Sequence, residues 1–248
     1  VAQEVSALSD GAFDVTIPPL LEAWGFGPRG TPNAPPPSDE VLAGLAARVG
    51  WQKLRLDPAA GTLSKADPGV VLDVSAIAPG YAADRIARAL EAADLPRYYV
   101  DVGGEIRARG AGPSGQPWRV GIERPAATRD APPTLQEVVH LDNGALATSG
   151  DYRSYREVDG RRISHTIDPR TRAPIRHLLA SVTVVHRDAA HADALATALN
   201  VLGPDAGMEL ARREDLAVLM IVRAGDGFEV RASPAFDALR RPGASATL

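Results

Sequence analysis

A carboxylate and a hydroxyl four residues apart form the first feature of the sequence that could bind a metal ion. Asp193 and Thr197 lie in a segment predicted to be helical, and residues four apart share one face of a helix. Two oxygen donors on one face suit Mg²⁺, which keeps several waters and binds substrate phosphates. The alternative is structural, with Asp193 stabilising the helix N-terminus through its dipole and Thr197 packing inward. The spacing alone leaves both interpretations open.

An apolar segment that leads into a turn of small residues is the second feature. Residues 70–74 predict a strand that ends near Asp73, and residues 75–80 lead into a helix predicted from Tyr81. Backbone N–H groups at such a helix N-terminus bind anions. Asp73 could hydrogen-bond a ligand there or simply stabilise the turn. Neither a Walker loop nor a GxGxxG fingerprint is present, so the segment indicates an anion site or ordinary turn chemistry.

His165 stands beside turn-forming and acidic residues, where an imidazole could act as a general base near neutral pH. A structural role is the alternative.

In residues 147–152 two hydroxyl residues precede Gly150, which permits close approach of the backbone to a ligand. No GxSxG elbow supports a serine hydrolase. The other histidines form no HxH or HExxH pattern and give little support for zinc: His140, His177, His186 and His191.

The elements that must position these residues mix helices with hairpins. Ser38 is a predicted N-cap, and Gly203 and Pro204 are predicted to end a helix. Helices are predicted over residues 41–49, 81–93, 190–202 and 205–213. Strands are predicted over residues 54–56, 62–64, 70–74, 98–102, 106–109, 118–123, 136–141, 180–185, 217–223 and 227–231. This pattern predicts an α+β fold with largely antiparallel sheets and packed helices.

Composition excludes several classes of protein. The 248 residues are 45% hydrophobic and 23% charged, which is enough for a real core and excludes a disordered or fibrous chain. A net charge of −4 gives no basic surface for nucleic acid. The absence of cysteine excludes disulfides, zinc-thiolate sites and thiol catalysis. No stretch of about 18 apolar residues predicts a membrane helix.

Seven segments occur in an order that resembles one known family: residues 11–16, 24–27, 73–84, 102–105, 147–153, 164–169 and 192–197. Together they resemble the ApbE family of FAD:protein FMN transferases, and the resemblance extends from Gly11 to about Phe236. It implies that residues 1–248 form a single domain of ApbE-type, T-fold-like architecture. It also implies that the family's N-terminal segment is missing before Val1.

The resemblance implies a role for individual residues of this chain. The metal ligands would be the Asp193 and Thr197 side chains with the Ala76 carbonyl, so that Asp193 is also catalytic. His165 matches the histidine that activates the acceptor hydroxyl. The FAD-binding positions would be Ala12, Phe13, Asp14, Asp73, Pro79 and the backbone of Ile167. Pro79 departs from the pattern, because many relatives carry a polar residue there.

The implied reaction is Mg²⁺-dependent transfer of FMN from FAD to a Thr or Ser hydroxyl of a partner protein through a phosphoester bond, with release of AMP. FAD is a substrate in this reaction. The acceptor would be a membrane-bound or exported flavoprotein subunit. The implied location is the periplasm, with an anchor in the inner membrane through the missing N-terminal segment. The alternatives are an Mg²⁺-dependent FAD pyrophosphatase that yields FMN and AMP, and a flavin-binding protein with weak catalysis.

Overall fold

Helices and antiparallel strands mix along the chain of this computed structural model, which describes residues 1–31, 34–125, 132, 134–150, 155–158, 161–240 and 246–247. The helices are α1 (Ala2–Leu8), α2 (Pro18–Ala23), α3 (Asp39–Leu45), α4 (Ala78–Ala92), α5 (Ala189–Arg213) and α6 (Pro234–Leu239). The first ten strands are β1 (Leu54–Asp57), β2 (Thr62–Lys65), β3 (Tyr98–Val102), β4 (Glu105–Arg109), β5 (Trp118–Arg124), β6 (Thr134–Gly150), β7 (Tyr155–Val158), β8 (Arg161–Ser164), β9 (Ile167–Asp168) and β10 (Ala173–Pro174). The last four are β11 (Leu179–His186), β12 (Ala217–Ala224), β13 (Gly227–Ala232) and β14 (Ala246–Thr247). These elements confirm the predicted α+β class.

The chain divides into two compact units. The first unit comprises Val1–Val74 and Ser154–Arg176, and the second comprises Ser75–Arg153 and His177–Leu248. This division does not test the prediction that residues 1–248 form one domain of the family, which stays a prediction.

The second unit is built on an eight-stranded sheet. Its strands follow the order β13-β12-β11-β6-β4-β3, and β5 and β14 also pair with β6. The pairings are antiparallel except for that of β14 with β6. The 17 residues of β6 make it long enough to pair with β5 through its first half and with β4 and β11 through its second. This sheet confirms the predicted antiparallel architecture.

Helix α5 packs against this sheet and buries most of its length. Small alanines let the helix approach the strands closely, and 16 of its 25 residues are buried. Gly203 interrupts the helical backbone with φ 80° and ψ −178°, so the predicted end of a helix at this position is confirmed as a break within α5. Among the described residues, no helix is both long and apolar enough to cross a membrane.

The first unit contains α1, α2 and α3 and the antiparallel pairs β1–β2, β7–β8 and β9–β10. Its core forms around Leu20, Trp24 and Ile167, and the Trp24 indole N–H donates to the Arg172 carbonyl at 2.8 Å. The predicted N-cap is confirmed, since Ser38 Oγ accepts a hydrogen bond from the N–H of Val41 at 3.3 Å. The N-terminal residues of α3 are thereby fixed.

The predicted strand over residues 70–74 is wrong, because the structure has an irregular segment there. Val71, Leu72 and Val74 are exposed, so their apolar character does not report a buried strand. The N–H of Asp73 donates to the carbonyl of Val15 at 2.7 Å. In the described residues that bond does not extend into a ladder, because the segment joins no sheet.

Candidate active site

The start of helix α5 is held by a carboxylate from helix α4. Asp84 accepts hydrogen bonds from the backbone N–H groups of Ala189 and Ala190, both at 3.0 Å. These two N–H groups have no acceptor within their own helix, and a negative charge is favourable at the positive end of the helix dipole. Arg107 Nε lies 3.8 Å from Asp84. The first turn of α5 is therefore fixed against α4.

Asp193 lies in the second turn of α5 and is 7% exposed. Its Oδ2 accepts a hydrogen bond from the N–H of Gly80 in α4 at 3.1 Å. Burial raises the pKa of Asp193 to about 6, although the Gly80 N–H opposes the shift. Above that pH the folded protein holds a buried negative charge, which is the environment that a bound cation would stabilise.

Oxygen donors accompany Asp193 in the second unit. Thr197 is half-buried one helical turn further along α5, so its hydroxyl shares a face with the Asp193 carboxylate. Ala76 lies in the turn directly before α4. Gly80, in the first turn of α4, donates its N–H to Asp193. A carboxylate, a hydroxyl and a carbonyl are the hard ligands that Mg²⁺ prefers. The residues therefore fit the predicted metal.

Glu105 is a candidate site residue to which the sequence assigns no role. It begins β4 after a corner at Gly103 and Gly104, whose φ angles of 69° and 106° favour glycine. Burial, which is the largest cause, and the negative charges of Asp193 and Asp101 together raise the pKa of Glu105 to about 7. Glu105 and Asp193 therefore form a pair of like charges that a divalent cation would relieve. The only signal in the sequence is the position of Glu105 at the end of the motif at residues 102–105.

A cavity of about 420 Å³ adjoins Glu105 in the second unit. It includes Thr148 and Gly150 from the end of β6, which belong to the polar segment singled out in the sequence. Thr148 Oγ1 lies 2.8 Å from Thr183 Oγ1 on β11, which fixes its side chain. Residues 151–153 of the same motif lie outside the described residues. The cavity thus brings two of the predicted motifs, residues 102–105 and 147–150, to one place.

Pro79 lies at the N-terminus of α4, where its fixed φ and missing N–H are tolerated. It is half-buried. Its ring offers no hydrogen-bonding group to a ligand, unlike the polar residue that the family pattern has at this position.

The first unit contains the remaining positions that are predicted to bind FAD. The side chains of Ala12 and Phe13 are buried, and the N–H of Phe13 donates to Ser9 Oγ at 3.2 Å. Asp73 is half-buried and joins this region through its bond to the Val15 carbonyl. Ala12 and Phe13 are therefore fixed inside the first unit.

The carboxylate of Asp14 organises the loops around it. Its Oδ1 accepts from the N–H and the hydroxyl of Thr16 at 2.8 and 2.7 Å, and its Oδ2 accepts from the N–H of Trp51 at 2.9 Å. Thr16 Oγ1 in turn accepts from the N–H of Gly50 at 2.7 Å. Asp14 thus fixes the segment that follows Phe13.

His165 and Ile167 lie on a segment of the first unit that hydrogen bonds hold in place. Ser164 Oγ accepts from the N–H of Thr166 at 3.1 Å, and Ile167 is buried in β9 opposite Pro174. His165, half-buried, stands between these fixed points. Arg170 and Asp168 form a two-point ion pair at 2.9 and 2.8 Å just beyond it. The imidazole therefore projects from a backbone with little freedom to move.

The contact between α4 and α5 predicts the effect of Gly80→Ala. A Cβ at this position would lie 2.3 Å from the Ala189 carbonyl oxygen and 2.9 Å from the Asp193 Cβ. Because both atoms belong to a packed helix, we expect the free energy of unfolding to fall by about 1–3 kcal/mol. Urea denaturation measures the change, and Gly44→Ala is the control. Gly44 is a helical position with no atom within 4 Å of its Cβ, so that change should stabilise the protein slightly; a Gly80→Ala variant as stable as the wild type contradicts this packing.

Comparison with known proteins identifies relatives of this chain. The model of the ApbE family matches residues 1–220. An FAD:protein FMN transferase of Haemophilus influenzae is 43% identical over 240 residues, which are 96% of this chain and 68% of that protein. Another, from Escherichia coli (strain K12), is 44% identical over 234 residues, or 94% of this chain and 66% of that protein. The chain thus spans about two thirds of the length of these curated relatives.

Solved structures show the same fold. The apo form of Pseudomonas stutzeri flavinyl transferase ApbE is 44% identical, with a TM-score of 0.85 over 96% of this chain and 72% of that chain. The ApbE protein of Thermotoga maritima is 32% identical, with a TM-score of 0.82 over 97% of this chain and 75% of that chain. The α+β fold with its antiparallel sheet is therefore that of known flavin transferases. This chain belongs to the ApbE family.

Proposed function

We propose that this chain is an enzyme that transfers FMN from FAD to a Thr or Ser hydroxyl of a partner protein, with Mg²⁺ as its metal. The observation that carries the proposal is the buried Asp193 carboxylate, which has its pKa raised to about 6 and lies in an oxygen-donor set. The relatives named FAD:protein FMN transferase support the reaction type.

The proposed reaction replaces one phosphorus–oxygen bond with another. The acceptor hydroxyl oxygen bonds to the phosphorus on the FMN side of the pyrophosphate, the bond from that phosphorus to the bridging oxygen breaks, and AMP leaves. His165 would accept the hydroxyl proton. Mg²⁺ held by Asp193, Thr197 and the Ala76 carbonyl would screen the negative charge of the pyrophosphate. Glu105 would add a second negative charge beside that ion, since its pKa responds to Asp193.

FAD would be bound by the positions that the resemblance indicates. In the first unit, Asp14 holds the segment that follows Ala12 and Phe13 in place, and the buried Ile167 would offer its backbone. Asp73 would contribute a carboxylate, whereas Pro79 in the second unit would contribute only its ring. We propose accordingly that FAD affinity rests on backbone contacts more than on side chains.

We also propose that the acceptor is a membrane-bound or exported flavoprotein subunit and that the chain works in the periplasm. The family resemblance supports this location, and a chain without cysteine is compatible with an oxidising compartment.

The test is an assay that separates transfer from hydrolysis. The protein is incubated with FAD, Mg²⁺ and an exported flavoprotein subunit, and the matched control is the same subunit with its target Thr changed to Val. We expect covalent flavin fluorescence on the unchanged subunit, no label on the control, and one AMP per labelled acceptor. Free FMN without labelled acceptor would show a pyrophosphatase instead. Bound FAD with neither FMN nor AMP would show a binding protein, the outcome that Pro79 favours.

A further inference from the structure

Two histidines and an aspartate meet where strand β11 leads into helix α5. His186 is the last residue of β11, Asp188 is the N-cap residue of α5, and His191 lies in the first turn of α5. Each offers one ligand atom, and the three atoms lie within 4.8 Å of one another. We refer to these three residues as the His-Asp-His cluster. It lies entirely in the second unit and is separate from the residues proposed to bind Mg²⁺.

The capping of α5 explains why Asp188 can take part in this cluster. An Asp at an N-cap position ordinarily accepts a hydrogen bond from the helix, but Asp188 makes no such side-chain bond. Asp84 accepts from the first two N–H groups of the helix instead. The Asp188 carboxylate turns toward His191, whose Nδ1 lies 3.5 Å from Asp188 Oδ2.

The two imidazole rings are held side by side. Their centroids are 5.1 Å apart, with 35° between the ring planes. His186 Nδ1 lies 3.3 Å from the Asp188 carbonyl oxygen. That nitrogen also accepts a hydrogen bond from the Asp188 backbone N–H at 3.1 Å. Metal binding through Nε2 therefore requires the other tautomer, in which the proton is on Nδ1 and this nitrogen donates to the carbonyl instead. Metal-binding histidines characteristically donate their other ring N–H to a backbone carbonyl in this way.

The donor set is that of a transition metal. Two imidazole nitrogens and one carboxylate oxygen match three-ligand zinc sites, which keep a fourth position for water. We propose that the His-Asp-His cluster binds one divalent transition-metal ion of the Zn²⁺ class. Bonds of about 2.0–2.1 Å in a tetrahedron place ligand atoms about 3.3 Å apart. Because the three ligand atoms lie within 4.8 Å of one another, each distance between them must shorten by roughly 1.5 Å at most. The half-buried side chains can do this by rotation.

A neighbouring arginine would be displaced at small cost. Arg187 Nε lies 3.0 Å from Asp188 Oδ2, and its side chain is 71% exposed. Such exposed ion pairs contribute little to stability, so a metal ion can compete for the carboxylate.

This ion would differ from the proposed Mg²⁺ in both place and chemistry. His191 and Asp193 are two residues apart on α5, which places them on opposite faces of the helix. Asp193 and Thr197 offer oxygen only, whereas the cluster offers nitrogen. Excess Mg²⁺ should therefore leave the cluster to Zn²⁺.

The test measures zinc bound by the untagged chain without FAD. Protein stripped with a chelator is equilibrated with Zn²⁺ in excess Mg²⁺, desalted and analysed for metal. We expect one zinc per chain, and affinity lowered more than about 100-fold in His186→Ala and in His191→Ala. His140→Ala, which removes an exposed histidine of β6, is the matched control and should keep its zinc. Asp193→Asn should also keep it, so failure of the proposed FMN transfer would not affect this result.

Zinc retained by the double variant His186→Ala/His191→Ala would overturn the proposal, as would a wild type that binds none. Should the variants fail to fold, the X-ray absorption spectrum of the wild-type zinc complex decides. Two imidazoles in the ligand shell support the cluster, and a shell without imidazole rejects it.

Discussion

Replacing Asp193 with Asn will lower FMN transfer by roughly 10³-fold and will make the folded protein more stable at pH 8. The loss of activity follows because the one side-chain carboxylate of the proposed Mg²⁺ ligand set becomes a neutral amide. The amide oxygen can still accept the Gly80 N–H, which Asp193 Oδ2 accepts at 3.1 Å. The helices α4 and α5 therefore keep their contact, and the variant separates the role of the charge from the role of the hydrogen bond.

The gain in stability comes from the raised pKa of Asp193. Its value of about 6 in the folded protein exceeds the ordinary 3.8, so between these values the folded state binds a proton that the unfolded state has released. The wild-type free energy of unfolding therefore falls as pH rises from about 4 through 6. The neutral amide of the Asp193→Asn variant does not titrate and carries no such penalty. We expect a gain of about 1–2 kcal/mol at pH 8, because the new amide N–H groups offset part of it.

Urea denaturation at pH 5 and pH 8 without Mg²⁺ measures this difference. The variant should exceed the wild type more at pH 8 than at pH 5, and added Mg²⁺ should stabilise only the wild type at pH 8. Asp84→Asn is the matched control. Its carboxylate accepts two N–H groups at the start of α5, so its neutral amide should destabilise the protein. Equal stability of wild type and Asp193→Asn at both pH values would mean that the buried charge imposes no penalty.

Local signals predict most elements of the fold. The cap at Ser38 and the break at Gly203 are confirmed because capping and backbone geometry depend on nearby residues. The strand predicted over residues 70–74 is wrong because an apolar run does not specify a partner strand. Val71 and Val74 are exposed, and only the folded structure shows that no sheet edge meets them among the described residues.

The sequence likewise predicts some of the candidate site residues and not others. The spacing of Asp193 and Thr197 predicts a shared helical face because both lie on α5. The spacing does not reveal Glu105, because its raised pKa depends on burial and on Asp193, which lies on a different element. His186 and His191 show no zinc pattern in the sequence, since a change from strand to helix between them brings their rings together. The sequence therefore does not predict contacts between residues that lie on different helices and strands.

Replacing His165 with Ala will slow FMN transfer by about 10²–10⁴-fold while leaving the affinity for FAD nearly unchanged. A base acts on the hydroxyl proton during bond formation, so its removal lowers kcat rather than raising KM. The neighbouring backbone should keep its conformation, because Ser164 and the β9–β10 pair hold the segment without the imidazole. Stopped assays of AMP release with acceptor, together with FAD titrations, measure the two effects separately.

Added imidazole distinguishes a base from a structural histidine. In His165→Ala, free imidazole should restore part of the transfer rate, because it can occupy the space of the missing ring and accept the proton. The matched control, His140→Ala, changes an exposed histidine of β6 and should retain the wild-type rate with no response to imidazole. If His165→Ala instead loses FAD binding and imidazole has no effect, the ring serves to shape the binding segment. The proton would then pass to water or to another group.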